Sequence, residues 1–139
     1  MKYSVIFPKT LKQSPSGIES INHQLLSRAG FIHQEMAGIY TYLPLGWKVL
    51  DKISDIVREE MNQIGGQELL MPVLHPASNW KRTGRFASFD ALYRVEGSAG
   101  VVSEEAKIVL GPTHEEIIYP LLSEYIKSYK DLPLYLYQI

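Results

Sequence analysis

The sequence predicts an α+β domain with an exposed strand. Residues 45–64 carry an apolar stripe at helical spacing, two further helix starts bear an S/T-x-x-E signature, and short runs rich in aromatic and β-branched residues lie between glycines and prolines. At 139 residues the chain has the length of one domain with one modest core. It is 45% apolar and 21% charged with a formal net charge of −1, so it presents no global basic field for nucleic acid. The first residues lack the apolar run of a secretory signal, and no stretch approaches the roughly 18 apolar residues of a membrane span. With no cysteine, neither a disulfide framework nor a thiolate metal site is available. Cytoplasmic localisation and no membrane partner are the expectations. His23, His33, His75 and His114 fall at no metal-ligand spacing, so no metal site is expected.

Along the chain, Ser16-Gly17-Ile18-Glu19 reads as a capping box. It opens a helix with Ile18, Ile21, Leu25 and Ala29 on one face and Gly30 as its stop. Residues 38–44, Gly-Ile-Tyr-Thr-Tyr-Leu-Pro, read as a short strand or extended turn. The strongest helix follows. Trp47, Leu50, Ile53, Val57, Met61 and Ile64 make its apolar stripe, Lys48, Asp51, Lys52, Asp55, Arg58 and Glu59 occupy its other faces, and Gly65-Gly66 ends it. Residues 67–73 read as a strand. Because Pro72 has no amide to donate, that strand should be an edge, bulged, or paired with another chain.

A polar helix or loop is expected over 78–85, then extended pieces at 92–95 and 107–110 joined by a long hairpin connection through Gly97-Ser98-Ala99-Gly100. Thr113-His114-Glu115-Glu116 is a second candidate capping box. It opens a stripe of Ile117, Ile118, Leu121, Leu122, Tyr125, Ile126 and Tyr129, in which Pro120 predicts a kink or a restarted helix. A last strand begins at Leu134. The chain stops inside it, uncapped, and is read as a truncated piece.

Pattern alone reveals no nucleophile arrangement, P-loop, dinucleotide turn or paired carboxylates. Thr113 is open to reading as a helix N-cap, and Glu115 as a helix-start carboxylate favoured by the macrodipole. Pro72 is open to reading as an ordinary edge-strand proline, and Arg82 and Arg85 as solvated.

Five strings go further. The helix ending at Gly65-Gly66 and the strand through Met71-Pro72-Val73 resemble motif 1 of class II aminoacyl-tRNA synthetases. Gly38 to Gly46, Trp80 with Thr83-Gly84-Arg85, Gly111-Pro112-Thr113-His114-Glu115-Glu116, and Tyr129-Lys130-Asp131-Leu132-Pro133-Leu134 are similar to prolyl-tRNA synthetases in particular. The resemblance implies that residues 1–139 are the N-terminal portion of a class II catalytic domain, an antiparallel sheet flanked by helices, cut before motif 2. It implies a proline–tRNA ligase acting as a homodimer in the full-length enzyme, with proline, ATP with Mg2+, and tRNA(Pro) as substrates. In this family the T-x-E loop, here Thr113 and Glu115, reads the substrate amino group, and Pro72 with Leu70 and Met71 lies at the dimer interface. His114, between the pocket residues, should turn away from the ligand. No catalytic residue falls within the segment, because the ATP-binding arginines lie beyond Ile139. Residues 97–106 depart from the hairpin of the bacterial-type enzymes. Two other readings compete: a non-catalytic dimerisation or interaction module, and a sister synthetase of the same subclass, such as threonyl.

Overall fold

The computed structural model describes residues 2–95 and 107–139 and divides into two compact units, Met1–Ile64 (with Ile139) and Gly65–Gln138. The predicted 97–106 connection lies outside the described residues.

In the first unit, helix α1 spans Ile21–Arg28, shorter than the sequence suggests. Ser16 and Gly17 form a turn instead of a cap, because Gly17 at φ +81° leaves the helical path. Ser20 is the N-cap residue, without a side-chain cap bond. Strands β1 (Ile32–Met36) and β2 (Ile39–Tyr42) pair as an antiparallel hairpin. The β2 segment is the extended piece expected before Pro44, while β1, mostly polar, had no legible signal. Helix α2, Pro44–Gln63, begins on Pro44, whose missing amide costs nothing in the first turn. It ends before Gly65, at φ +82°, a conformation glycine adopts without a Cβ clash. Its stripe is not a core in this chain. Trp47, Ile53, Val57 and Ile64 are each 44–64% exposed, and Leu50 and Met61 are half-buried.

The second unit holds the packed core. Strands β4 (Leu74–Pro76), β5 (Tyr93–Val95) and β6 (Ile108–Leu110) form an antiparallel sheet with β6 central. Strand β3 is only Gln67–Glu68, and it pairs in parallel with β7, Leu136–Tyr137. The ladder predicted through residue 73 therefore stops early, because the chain bends away. The Gln138 side-chain oxygen takes the Met71 amide at 2.5 Å, and Pro72 lies outside any strand. Leu70 is 88% exposed, Pro72 exposed and Met71 half-buried.

Of the helix or loop expected over 78–85, the structure forms helix α3 (Ala77–Arg82), followed by a short second helix, α4 (Arg85–Ser88). One face of α3 is buried. Ala77, Trp80 and Val109 of β6 form the core, with Phe86, Phe89 and Leu92 packed on it. Helix α5, Glu115–Tyr125, runs unbroken through Pro120. The proline has no amide for the Glu116 carbonyl four residues back, and Asn79 Nδ2 of α3 supplies the bond instead, at 2.8 Å. A side chain from a neighbouring helix thus satisfies the carbonyl that a proline leaves open.

Candidate functional site

The site grows from the 111–116 turn, which carries the chain from β6 into α5. A Cβ on Gly111 would stand 1.9 Å from His75 Cε1, so only glycine permits this close approach. His75 is fully buried. Trp80 Nε1 donates to its Nδ1 at 3.2 Å, and its Nε2 lies 3.0 Å from the Pro72 carbonyl. An indole N–H can only donate, so Nδ1 accepts and Nε2 carries the proton. The neutral ring satisfies both neighbours, and it ties the Pro72 segment to the same core that supports Gly111. His114 packs edge-on against it, with ring centroids 5.0 Å apart.

Burial holds the His75 pKa below its ordinary value, helped by the charge of His114 and opposed by Pro72 and Glu116. A second proton would point Nδ1–H at the Trp80 N–H. The unfolded chain takes up a proton near pH ~6.5, whereas the folded chain resists until lower pH. Stability from this group is therefore complete above about pH 6.5. It should fall as the pH drops toward the lowered folded value. Thermal melts from pH 7.5 to 5 should show this loss. His75→Gln, whose amide both donates and accepts, should melt with a flatter pH dependence.

Thr113 and Glu115 come together at the start of α5. His114, not Thr113, is the N-cap residue, and no side chain caps the helix, so the predicted capping box is absent. Thr113 Oγ1 is buried without a hydrogen-bond partner of good geometry. It stands beside Glu115 and is the main cause holding that carboxyl below its ordinary range, ahead of the residue's own amide, Arg85 and His114. Glu115 is therefore ionised at neutral pH. Its side chain is 53% exposed and borders two cavities. One, of about 540 Å³, is walled by Asn79, Arg82, Arg85, Glu116 and Tyr119 among others. The other, of about 210 Å³, lies toward Leu69, Met71, His114, Leu136 and Gln138. His114 Nε2 is buried and unpartnered.

Glu116 was invisible as a site residue. It is 2% exposed, and its Oε1 accepts from Arg85 Nη1 at 2.9 Å and Thr83 Oγ1 at 3.2 Å. Arg85 is therefore paired, with a third of its side chain still exposed. Its guanidinium carbon sits 5.0 Å from the Trp80 ring centroid and 4.9 Å from that of Phe89. The available signal was Pro120, four residues after Glu116, which implies a partner for the open carbonyl. Arg82 lines the larger cavity. Among the described residues, no three His, Cys, Asp or Glu side chains gather as a metal ion needs.

No protein-family profile matches the chain. Over its full length it is 49% identical to the proline–tRNA ligase of Dehalococcoides mccartyi strain CBDB1, covering 24% of that protein. It is 50% identical to the proline–tRNA ligase of Thermotoga maritima, covering 23% of it. The chain thus spans about a quarter of the length of these curated relatives. Among solved structures, it superposes on prolyl-tRNA synthetase from Cryptosporidium parvum complexed with L-proline and AMP. That match has a TM-score of 0.67 and 22% identity, over 83% of this chain and 22% of that one. The same enzyme with halofuginone and AMPPNP gives 0.66 and 23%. The resemblance to class II prolyl-tRNA synthetases extends over the whole sequence, and the α+β fold is theirs.

Proposed function

We propose that this chain, similar throughout to proline–tRNA ligases, forms part of the proline pocket and of the dimer interface in a longer cytoplasmic enzyme of that activity. The observation that carries the reading is Glu115, ionised beside Thr113 on a cavity wall, within a sequence about half identical to those ligases. Proline offers a secondary ammonium with two N–H donors and no polar side-chain handle. A carboxylate and a hydroxyl oxygen suit those donors, and charge-assisted bonds of this kind are the strong ones. Thr113 Oγ1, buried beside the Glu115 carboxylate, keeps lone pairs that can accept one of those donors. Proline carboxylate then attacks the ATP α-phosphate and displaces pyrophosphate, leaving prolyl adenylate, and a terminal ribose hydroxyl of tRNA(Pro) attacks its carbonyl and releases AMP; the nucleotide would bring Mg2+ with it. The chain's residues bind and orient proline, and the ATP contacts come from the rest of the enzyme. Positioning and charge stabilisation dominate such chemistry. The 139-residue chain alone should therefore show no proline-dependent ATP–pyrophosphate exchange, whereas the full-length enzyme should show it with proline and not threonine. Exchange by the isolated chain, or threonine preference in the enzyme, contradicts the reading.

The interface part rests on exposed apolar surface. Leu70 and Val73, at 88% and 59% exposed, flank Met71 and Pro72, and the α2 stripe is open as well. Such patches mark association surfaces. Sedimentation of the chain at tens of micromolar should show self-association, and Leu70→Glu should reduce it. A clean monomer in the unsubstituted chain counts against the homodimer. Among the described residues, no helix is long and apolar enough to cross a membrane.

A further inference from the structure

Two neighbouring carboxylates at the start of α5 have opposite settings. Glu116 is buried and held from three sides, by Arg85 and Thr83 on its carboxylate and Asn79 on its carbonyl. Glu115 is more than half exposed, and a glutamate in that setting samples many rotamers unless something restrains it. Arg85 Nη1 lies between the two, 2.9 Å from Glu116 Oε1 and 3.8 Å from Glu115 Oε2.

We propose that Arg85 is a positioning residue for the amino-acid pocket: anchored by buried Glu116 and the rings of Trp80 and Phe89, it holds the Glu115 carboxylate in the orientation that receives the substrate ammonium. The proposal rests on the reading of Glu115 given above. Its physical basis is the difference between the two distances. A charged N–H···O bond closes to about 2.7–2.9 Å. The Glu116 contact has that length and fixes the guanidinium, together with ring contacts at 5.0 and 4.9 Å. The Glu115 contact is about one ångström too long for such a bond, so Arg85 attracts the carboxylate without occupying its lone pairs. Those lone pairs remain for the substrate's N–H groups. Asn79, through the carbonyl that Pro120 leaves open, keeps the first turn of α5 in register with α3, so the anchor does not drift.

The test uses the full-length enzyme in proline-dependent ATP–pyrophosphate exchange. The double substitution R85Q/E116Q removes the buried Glu116 charge together with its Arg85 partner, leaves two amides able to bond, and strands no unpaired buried ion. It should raise the proline KM roughly tenfold, as expected for a binding group released from its productive geometry, with the ATP KM within about twofold. R85K keeps Glu116 paired and so protects folding, but loses the planar fork that lies between both carboxylates. It should raise the proline KM several-fold. On an E115Q background, adding R85Q/E116Q should have less than about a twofold further effect, because Arg85 acts through Glu115. A normal proline KM in both R85Q/E116Q and R85K overturns the proposal, and so does a full multiplicative effect of R85Q/E116Q on the E115Q background. If E115Q itself leaves proline KM unchanged, the pocket reading fails first, whatever Arg85 does.

Discussion

Replacing Glu115 with glutamine in the full-length enzyme should weaken proline use by roughly ten- to more than a hundredfold. The substitution keeps the size and one acceptor but removes the charge that the proposed function sets against the ammonium. A charged hydrogen bond contributes about 1.5–3 kcal/mol, and each ~1.4 kcal/mol is a factor of ten. Thr113→Val should cost less, since it removes one neutral hydroxyl and keeps the shape. The structure sharpens the contrast with a purely helical role. A capping threonine would lose about 1 kcal/mol of stability on replacement. Thr113 caps nothing, and its hydroxyl stands beside the exposed Glu115 carboxylate, so Thr113→Val should cost less stability than the loss of a cap. Measuring proline KM and melting on the same preparations separates the two roles. If Glu115→Gln melts early and binds proline normally, Glu115 serves the helix alone.

The largest expected loss of stability is Trp80→Ala. Trp80 is fully buried, it packs against Phe89 at 5.9 Å between centroids, and its ring carries Arg85. Truncating a core tryptophan costs about 3–5 kcal/mol. Leaving His75 Nδ1 buried without its donor adds about 1–3 kcal/mol. Against a typical total of about 5–15 kcal/mol, that is enough to unfold much of the second unit. Leu70→Ala, at a side chain 88% exposed, should change the stability of the dilute chain by no more than about 0.5 kcal/mol. Urea titration of both variants checks the pair. A cooperative, wild-type-like transition for Trp80→Ala would show that the Trp80–Val109 cluster is not what holds the unit together.

Much of the architecture was legible from local chemistry. The 3.6-residue stripe and the glycine pair bounded α2 to within a residue at each end, because a long amphipathic pattern between a proline and a glycine has few alternatives. Strands β5 and β6 were visible as short β-branched and aromatic runs. Other elements were not. The polar β1 forms only because β2 folds back on it, and the three-residue β4, ending on a proline, leaves no periodic trace. The capping signatures at Ser16 and Thr113 misled for a shared reason. Both residues have the right chemistry and spacing, but each helix begins elsewhere, after Ser20 and after His114.

For the site, the family resemblance was what offered Thr113 and Glu115 as candidates for an amino-group pocket, since the pattern alone left them open to reading as helix-start residues. By itself the sequence determined the composition class, the long helix, the glycine stops and the likeness to prolyl-tRNA synthetases. Only the tertiary structure decided that Glu116 is the buried carboxylate and Glu115 the open one. Two adjacent glutamates are chemically identical until packing places α3 and α4 against one face of α5. It likewise decided that Arg85 is clamped and that His75 is neutral, with its proton on Nε2. Each outcome depends on partners distant in sequence, such as Arg85 for Glu116 and Gly111 for His75. Spacing rules describe neighbours along the chain, whereas burial and hydrogen-bond partnership are set by neighbours across it.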